Sequence, residues 1–293
     1  MAHPVVVGVD GSPAALDAVE IAAREAALRG VGLRLVHAFG WPSRHGPPGG
    51  PPWHPAAPGV RELLDGTLGE AERRARAAAP RLELAREVTV GEPVTVLEIE
   101  SRTAALVVVG GRGPSAFGSR LLGSTAVHLV AHAHCPVLVV RGRPDPAGPV
   151  LLAVDGSPAA RGAVAFAFTE AALRGAELLA LHAYTSRTEH PYAAPADPPF
   201  VTYDGNRPRE EAEHVLAEAL AGHRERHPDV AVRHRAVRGR VRATLVEASS
   251  EAQLIVVGAR GHGGFTGLLL GSVSQAVLHH AHCPVTVVRH DGP

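Results

Sequence analysis

The chain repeats itself once, at the size of a domain, and no other feature constrains its fold as tightly. Val7-Gly-Val-Asp-Gly-Ser-Pro13 returns as Leu152-Ala-Val-Asp-Gly-Ser-Pro158. Ala26-Ala-Leu-Arg-Gly30 returns as Ala171-Ala-Leu-Arg-Gly175, and His132-Ala-His-Cys-Pro-Val137 as His280-Ala-His-Cys-Pro-Val285. Each copy also holds two glycines three apart, then nine residues, then Gly-Ser: Gly110 and Gly113 before Gly123-Ser124, Gly258 and Gly261 before Gly271-Ser272. The 293 residues hold two such units, a tandem duplication and not a solenoid.

Within each copy, apolar runs of strand length alternate with helical stretches. In the first copy the expected strands are Pro4–Val9, Leu33–Ala38, Leu82–Val90, Leu106–Gly110 and Pro136–Arg141. The expected helices are Ala14–Arg29, Arg61–Ala79, Val94–Arg102 and Gly123–Ala133. Ser12 suits an N-cap, Pro13 a first helical position and Gly30 a helix stop. Pro/Gly-rich stretches at Gly40–Gly59 and Thr185–Pro208 read as surface excursions. Apolar strands separated by helices predict an α/β fold whose parallel sheet is covered on both faces. The expected division is a first domain over 1–142, a linker over 143–149 and a second domain over 150–293. In such sheets ligands bind where strand order reverses, at the carboxyl ends of the strands. The Asp10 and Asp155 turns and the two glycine loops are expected at that edge.

Composition narrows the function. Lys+Arg 29 balances Asp+Glu 29, so no basic face for nucleic acid is expected. No apolar run approaches the roughly 20 residues of a membrane span, and the amino terminus leads straight into a strand with no signal-peptide pattern. Two cysteines at equivalent positions, Cys135 and Cys283, fit a reducing cytoplasm better than a disulfide scaffold. The clusters His128, His132, His134, Cys135 and His279, His280, His282, Cys283 raise a zinc hypothesis. Each lies on one short segment, whereas zinc needs four converging ligands, so no metal site is expected.

A glycine loop leaving a strand and opening a helix lets successive N–H groups and the helix dipole face an anion. Ser124 and Ser272 add a hydroxyl and an N–H. Four charge-assisted hydrogen bonds supply about 6–12 kcal/mol gross, against about 8 kcal/mol for micromolar binding. Asp10 and Asp155 have two readings, a ligand contact or an ordinary helix cap worth about 1 kcal/mol. Arg112 and Arg260, inside the loops, either touch phosphate or pair with surface carboxylates.

Together these residues resemble the universal stress protein family, in its nucleotide-binding branch and its tandem, actinobacterial form. The resemblance rests on Val-x-Val-Asp-x-Ser, the Gly-x2-Gly-x9-Gly-Ser loop and His-Cys-Pro-Val, and covers nearly the whole chain twice. It implies two tandem Rossmann-like domains, each a five-stranded parallel sheet with helices on both faces. It implies ATP as the ligand, with or without Mg2+. The Asp carboxylates would meet the nucleoside end or help hold a metal, and the backbone of Ala38 and Ala183 would meet adenine. Gly8 and Ala153, ahead of the Asp turn, join the binding set. The second loop matches the family more fully, which brings in Gly263, Val273 and Ser274. In the first loop Pro114 removes one N–H donor, and Ala126 stands where the second copy has Ser274. Two sites of unequal affinity are expected, the Gly258 loop binding phosphate more tightly. The resemblance also implies a regulatory role in stress or dormancy and pairing of the repeats through their fifth strands, with a homodimer beyond that. No Walker motif, nucleophile elbow or catalytic base set is found, so the reading is a binding protein with at most slow ATP hydrolysis. A true ATPase or nucleotide-transferring enzyme on the same fold is the alternative.

Overall fold

The structure is a computed structural model, and it describes residues 3–40, 58–111, 122–143, 148–185, 207–261 and 270–289. Most of both expected excursions, the middle of the linker, and Arg112, Gly113, Pro114 and Gly263 lie outside the described residues.

The first half runs β1 (Val5–Gly8), α1 (Pro13–Arg29), β2 (Leu33–Phe39), α2 (Pro58–Ala78), β3 (Leu84–Val90), α3 (Pro93–Glu100), β4 (Leu106–Gly110), α4 (Ser124–His132) and β5 (Val137–Val140). The second runs β6 (Val150–Ala153), α5 (Arg161–Arg174), β7 (Leu178–Tyr184), α6 (Arg207–Leu220), α7 (His223–Arg226), β8 (Val232–Arg238), α8 (Val241–Ala248), β9 (Leu254–Gly258), α9 (Ser272–His280) and β10 (Val285–Val288). The elements follow the expected order, with ends shifted by a few residues. Two additions escaped the sequence reading: the one-turn α7, and a 3-10 turn over Pro158–Ala160 that precedes α5.

Local chemistry explains the first helix. Ser12 caps α1 by accepting the Ala15 N–H at 3.2 Å, Pro13 opens the helix, and Gly30 ends it at φ 64°. Such a φ is the left-handed conformation that glycine adopts without a Cβ penalty. In the second half Ser157 makes no cap bond to the helix. Its hydroxyl donates to Asp155 instead, and the chain enters α5 through the tighter 3-10 turn.

The two halves merge into one ten-stranded sheet of order β3-β2-β1-β4-β5-β10-β9-β6-β7-β8. Every pairing is parallel except the central one, where β5 and β10 run antiparallel with Val137 opposite Val287 and Val139 opposite Val285. The expected pairing of fifth strands is thus made inside the chain. It satisfies two rows of backbone groups that would otherwise be exposed edges. The remaining edges are β3 and β8, and there the expectation of strands apolar on both sides fails: Arg86, Arg233, His234 and Arg235 are exposed. Charge on an edge strand discourages pairing with another chain.

Side chains alternate across the sheet, so each face carries its own core. Val5, Val7, Leu106 and Val108 pack with α1 and α2, continuous with Leu152, Val256, α5 and α6 of the other half. Val6, Val107 and Val109 pack with α3 and α4, continuous with Leu151, Ile255, α8 and α9. Each fully buried Val or Leu contributes about 1.5–3 kcal/mol relative to exposure. Both cores therefore cross the boundary between repeats.

Where α1 and α5 meet, four charges are buried. Arg29 pairs with Glu25 on its own helix and with Glu170 on the other. Arg174 pairs with Glu170 at 3.1 Å and with Glu25. The glutamate side chains are 2% and 1% exposed. Burial pushes the Glu170 carboxyl above its ordinary value, the neighbouring Glu25 carboxylate adding to this and the two arginines opposing it.

Candidate nucleotide-binding site

In each half the strand order 3-2-1-4-5 reverses between the first and fourth strands: β1 beside β4, and β6 beside β9. Chain leaving those two neighbours at their carboxyl ends is what brings the Asp turn and the glycine loop together.

The Asp turns are built alike. Asp10 Oδ1 accepts the Ser12 N–H at 2.9 Å, and Asp155 Oδ1 accepts the Ser157 N–H at 2.9 Å. Asp155 also accepts the Ser157 hydroxyl at 2.8 Å. Gly11 and Gly156 follow at φ 79° and 78°, the left-handed conformation these turns require. One carboxylate oxygen of each Asp is thus committed to its own turn. In the second half the other, Oδ2, lies against Gly261: a Cβ there would collide with it. The Asp turn and the glycine loop are therefore in contact, and the contact explains why position 261 is glycine. The corresponding Gly113 lies outside the described residues.

A backbone clasp closes each loop at its two ends. Gly111 N–H donates to the Val140 carbonyl at 2.9 Å and Gly123 N–H to the Gly111 carbonyl at 3.0 Å. In the second half Ala259 N–H donates to Val288 at 2.9 Å and Gly271 N–H to Ala259 at 2.8 Å. Gly110 passes close under α1, where a Cβ would stand 2.7 Å from the Ala14 carbonyl oxygen. Gly258 has more room, its nearest such neighbour being the Arg260 carbonyl oxygen at 3.2 Å. The clasp delivers Gly123 and Gly271 as N-caps of α4 and α9, and neither cap carries a side-chain hydrogen bond. Ser124 and Ser272 are exposed at these helix starts.

Several expected site residues have other work. Ser274 is 3% exposed, and its hydroxyl donates to the Gly258 carbonyl at 2.7 Å, bracing the loop from behind. Val273 packs against the core. Gly8 is a packing position, where a Cβ would stand 2.9 Å from Leu97 Cδ1. Ala153 is half-buried beside the same core. Ala38 and Ala183 lie near the ends of β2 and β7, paired with Thr89 and Val237 on the neighbouring strands. Arg260 is exposed next to Gly261.

The sequence reading missed His37 and His182. Their Nδ1 atoms hydrogen-bond the Val9 and Val154 carbonyls at 2.8 and 2.7 Å, the residues just before the two aspartates. The donor there is Nδ1–H, so each ring ties the end of the second strand to the Asp turn. A signal was present: each histidine follows its Asp by 27 residues.

The other histidines are elsewhere. His128 Nε2 lies 2.7 Å from Glu98 Oε2, and that hydrogen bond holds the Glu98 carboxyl below its ordinary value. Cys283 is fully buried, and burial pushes its thiol up to about 12. Among the described residues no three His, Cys, Asp or Glu side chains converge as metal ligands. Nor does any described helix have the length and apolarity to cross a membrane.

Known proteins share the sequence pattern and the fold. The profile of the Universal stress protein family matches residues 1–141 and again 147–289. A universal stress protein of Mycobacterium tuberculosis (strain ATCC 25618 / H37Rv) is 40% identical over 295 residues, covering 97% of this chain and 96% of its own. Another from that strain is 40% identical over 305 residues, covering 98% and 97%. The crystal structure of a universal stress protein from Archaeoglobus fulgidus DSM 4304 has the same fold, with a TM-score of 0.66 at 19% identity and 98% of both chains covered. A duplicated Asp turn, a duplicated glycine loop and these matches along both halves lead to one conclusion: the chain belongs to the universal stress protein family and carries two of its domains in tandem.

Proposed function

We propose that this protein binds an adenine nucleotide, ATP, at two sites per chain, and acts as a regulator in the stress response and not as an enzyme. The observation that carries the reading is the contact between Asp155 and Gly261 beside the start of α9, whose N-cap has no side-chain partner. Backbone N–H groups and the positive end of the helix favour phosphate at that point. The Asp carboxylate, repelling phosphate, favours the hydroxyl-bearing nucleoside end of the ligand. Mg2+ enters only with the nucleotide's own phosphates. One carboxylate at a site, with an oxygen already bound to its turn, makes a poor general base, so turnover should fall well below about 1 s⁻¹.

The two sites are unequal in this reading. Ser274 braces the second loop through Gly258, whereas Ala126 offers the first loop no such bond. Two cysteines at equivalent repeat positions, Cys135 and Cys283, support residence in a reducing cytoplasm. Because β5 and β10 are consumed within the chain, a homodimer would use another surface.

Mass spectrometry of small molecules released from the purified, heat-denatured protein tests the reading. ATP or another adenine nucleotide is the expected release. Protein that carries none, and takes up none from millimolar ATP, would show a fold without the function.

A further inference from the structure

The antiparallel join places the carboxyl end of each fifth strand beside the segment that leads into its partner. Residues 137–140 of β5 run against 285–288 of β10, so the chain just beyond β5 lies beside the end of α9. Arg143 N–H donates to the His282 carbonyl at 3.2 Å, just past that helix. Between them, Arg141 reaches across and donates from its guanidinium to the Leu278 carbonyl of α9. The reciprocal bond is present: Arg289, following β10, donates to the Ala131 carbonyl of α4.

Both acceptors are among the last four carbonyls of their helices, groups that no intrahelical N–H satisfies. A cation there complements the negative end of the helix dipole. The other ends of these two helices open at the glycine loops. Each arginine, moreover, is rooted beside the loop of its own half. Gly111 donates to Val140, the residue before Arg141, and Ala259 donates to Val288, the residue before Arg289. Each helix has nine residues, about 13 Å of rigid rod, with a glycine loop at one end and an arginine from the opposite half at the other.

Resting on the nucleotide reading above, we propose that Arg141 and Arg289 are crossed positioning residues. Each holds the far end of the phosphate-facing helix in the opposite half, and so sets the affinity of the site it does not belong to. Arg141 serves the second site and Arg289 the first. By linkage, filling one site then alters the affinity of the other.

Full-length chains with one site silenced provide the test. Gly123→Glu silences the first site and Gly271→Glu the second. These glycines have φ −65° and −71°, which any residue adopts, so a carboxylate can occupy the anion position without backbone strain. ATP binding is followed by calorimetry. In the Gly123→Glu chain, Arg141→Gln should weaken the remaining site by about 3- to 10-fold, while Arg289→Gln leaves it unchanged. In the Gly271→Glu chain the pattern should invert. Arg→Lys at the effective position should restore most of the affinity, since it keeps the cation at the helix end. Losses confined to the arginine's own half, equal losses at both sites, or none at either would overturn the crossed arrangement. If Arg141→Gln does not fold by its melting curve, the Arg289 arm decides alone. Silenced chains that bind no ATP before any arginine is changed would instead refute the nucleotide reading.

Discussion

Gly261 and Ser274 show how side-chain direction decides a role. Their spacing marks both as loop residues, and for Gly261 the reason is the adjoining Asp155 carboxylate. Ser274 was expected at the ligand, but its place in the first turn of α9 faces inward, and its hydroxyl closes the loop on Gly258. Motif spacing carries no information on helix phase, which is set by how α9 packs on the sheet. Ser274→Ala should therefore remove a brace and not a phosphate contact. One hydrogen bond contributes about 1 kcal/mol, so ATP affinity at the second site should fall about 5-fold. Calorimetry on the Gly123→Glu chain reads this, and an unchanged affinity would remove Ser274 from the account. His37 and His182 were legible only as a recurring interval, because their partners are carbonyls, which leave no mark in a sequence.

Among the elements, strands and helices were legible wherever one period dominates. The central strands are continuous Val/Leu runs, and α1 has its cap, its proline and its terminal glycine. The edge strands β3 and β8 break the apolar pattern, with exposed charge at Arg86, Arg233, His234 and Arg235. The 3-10 entry to α5 was hidden because its Ser157-Pro158 start reads the same as Ser12-Pro13, while the Ser157 hydroxyl turns to Asp155. The Glu25, Arg29, Glu170, Arg174 quartet was invisible in sequence as well, since it forms only when α1 and α5 face each other. Buried ion pairs fix geometry more reliably than they add stability. Glu170 titrates above its ordinary 4.5 in the folded chain, so the fold binds its proton more tightly than the unfolded chain does. The contribution is full below that ordinary value and is lost as pH rises through the elevated one. Denaturant melts across this range should show stability falling with rising pH, and Glu170→Gln should flatten that part of the slope. A variant with the wild-type slope would assign the effect to other groups.

Taken as one body, the protein is a duplication closed on itself. The repeat and its spacing announced two units and two candidate sites. The β5–β10 join was expected and makes the sheet ten-stranded, while the shared cores and the crossed arginines that follow from it are revealed only by three-dimensional packing. The same duplication lets one half serve as a control for the other, because the loops differ in named residues, Ser274 against Ala126 and His262 against Pro114. Calorimetric titration of the full chain with ATP should resolve two binding events per chain. Gly271→Glu should remove the tighter event and Gly123→Glu the weaker one. A single event, two equal events, or loss of the tighter event in Gly123→Glu would contradict the account.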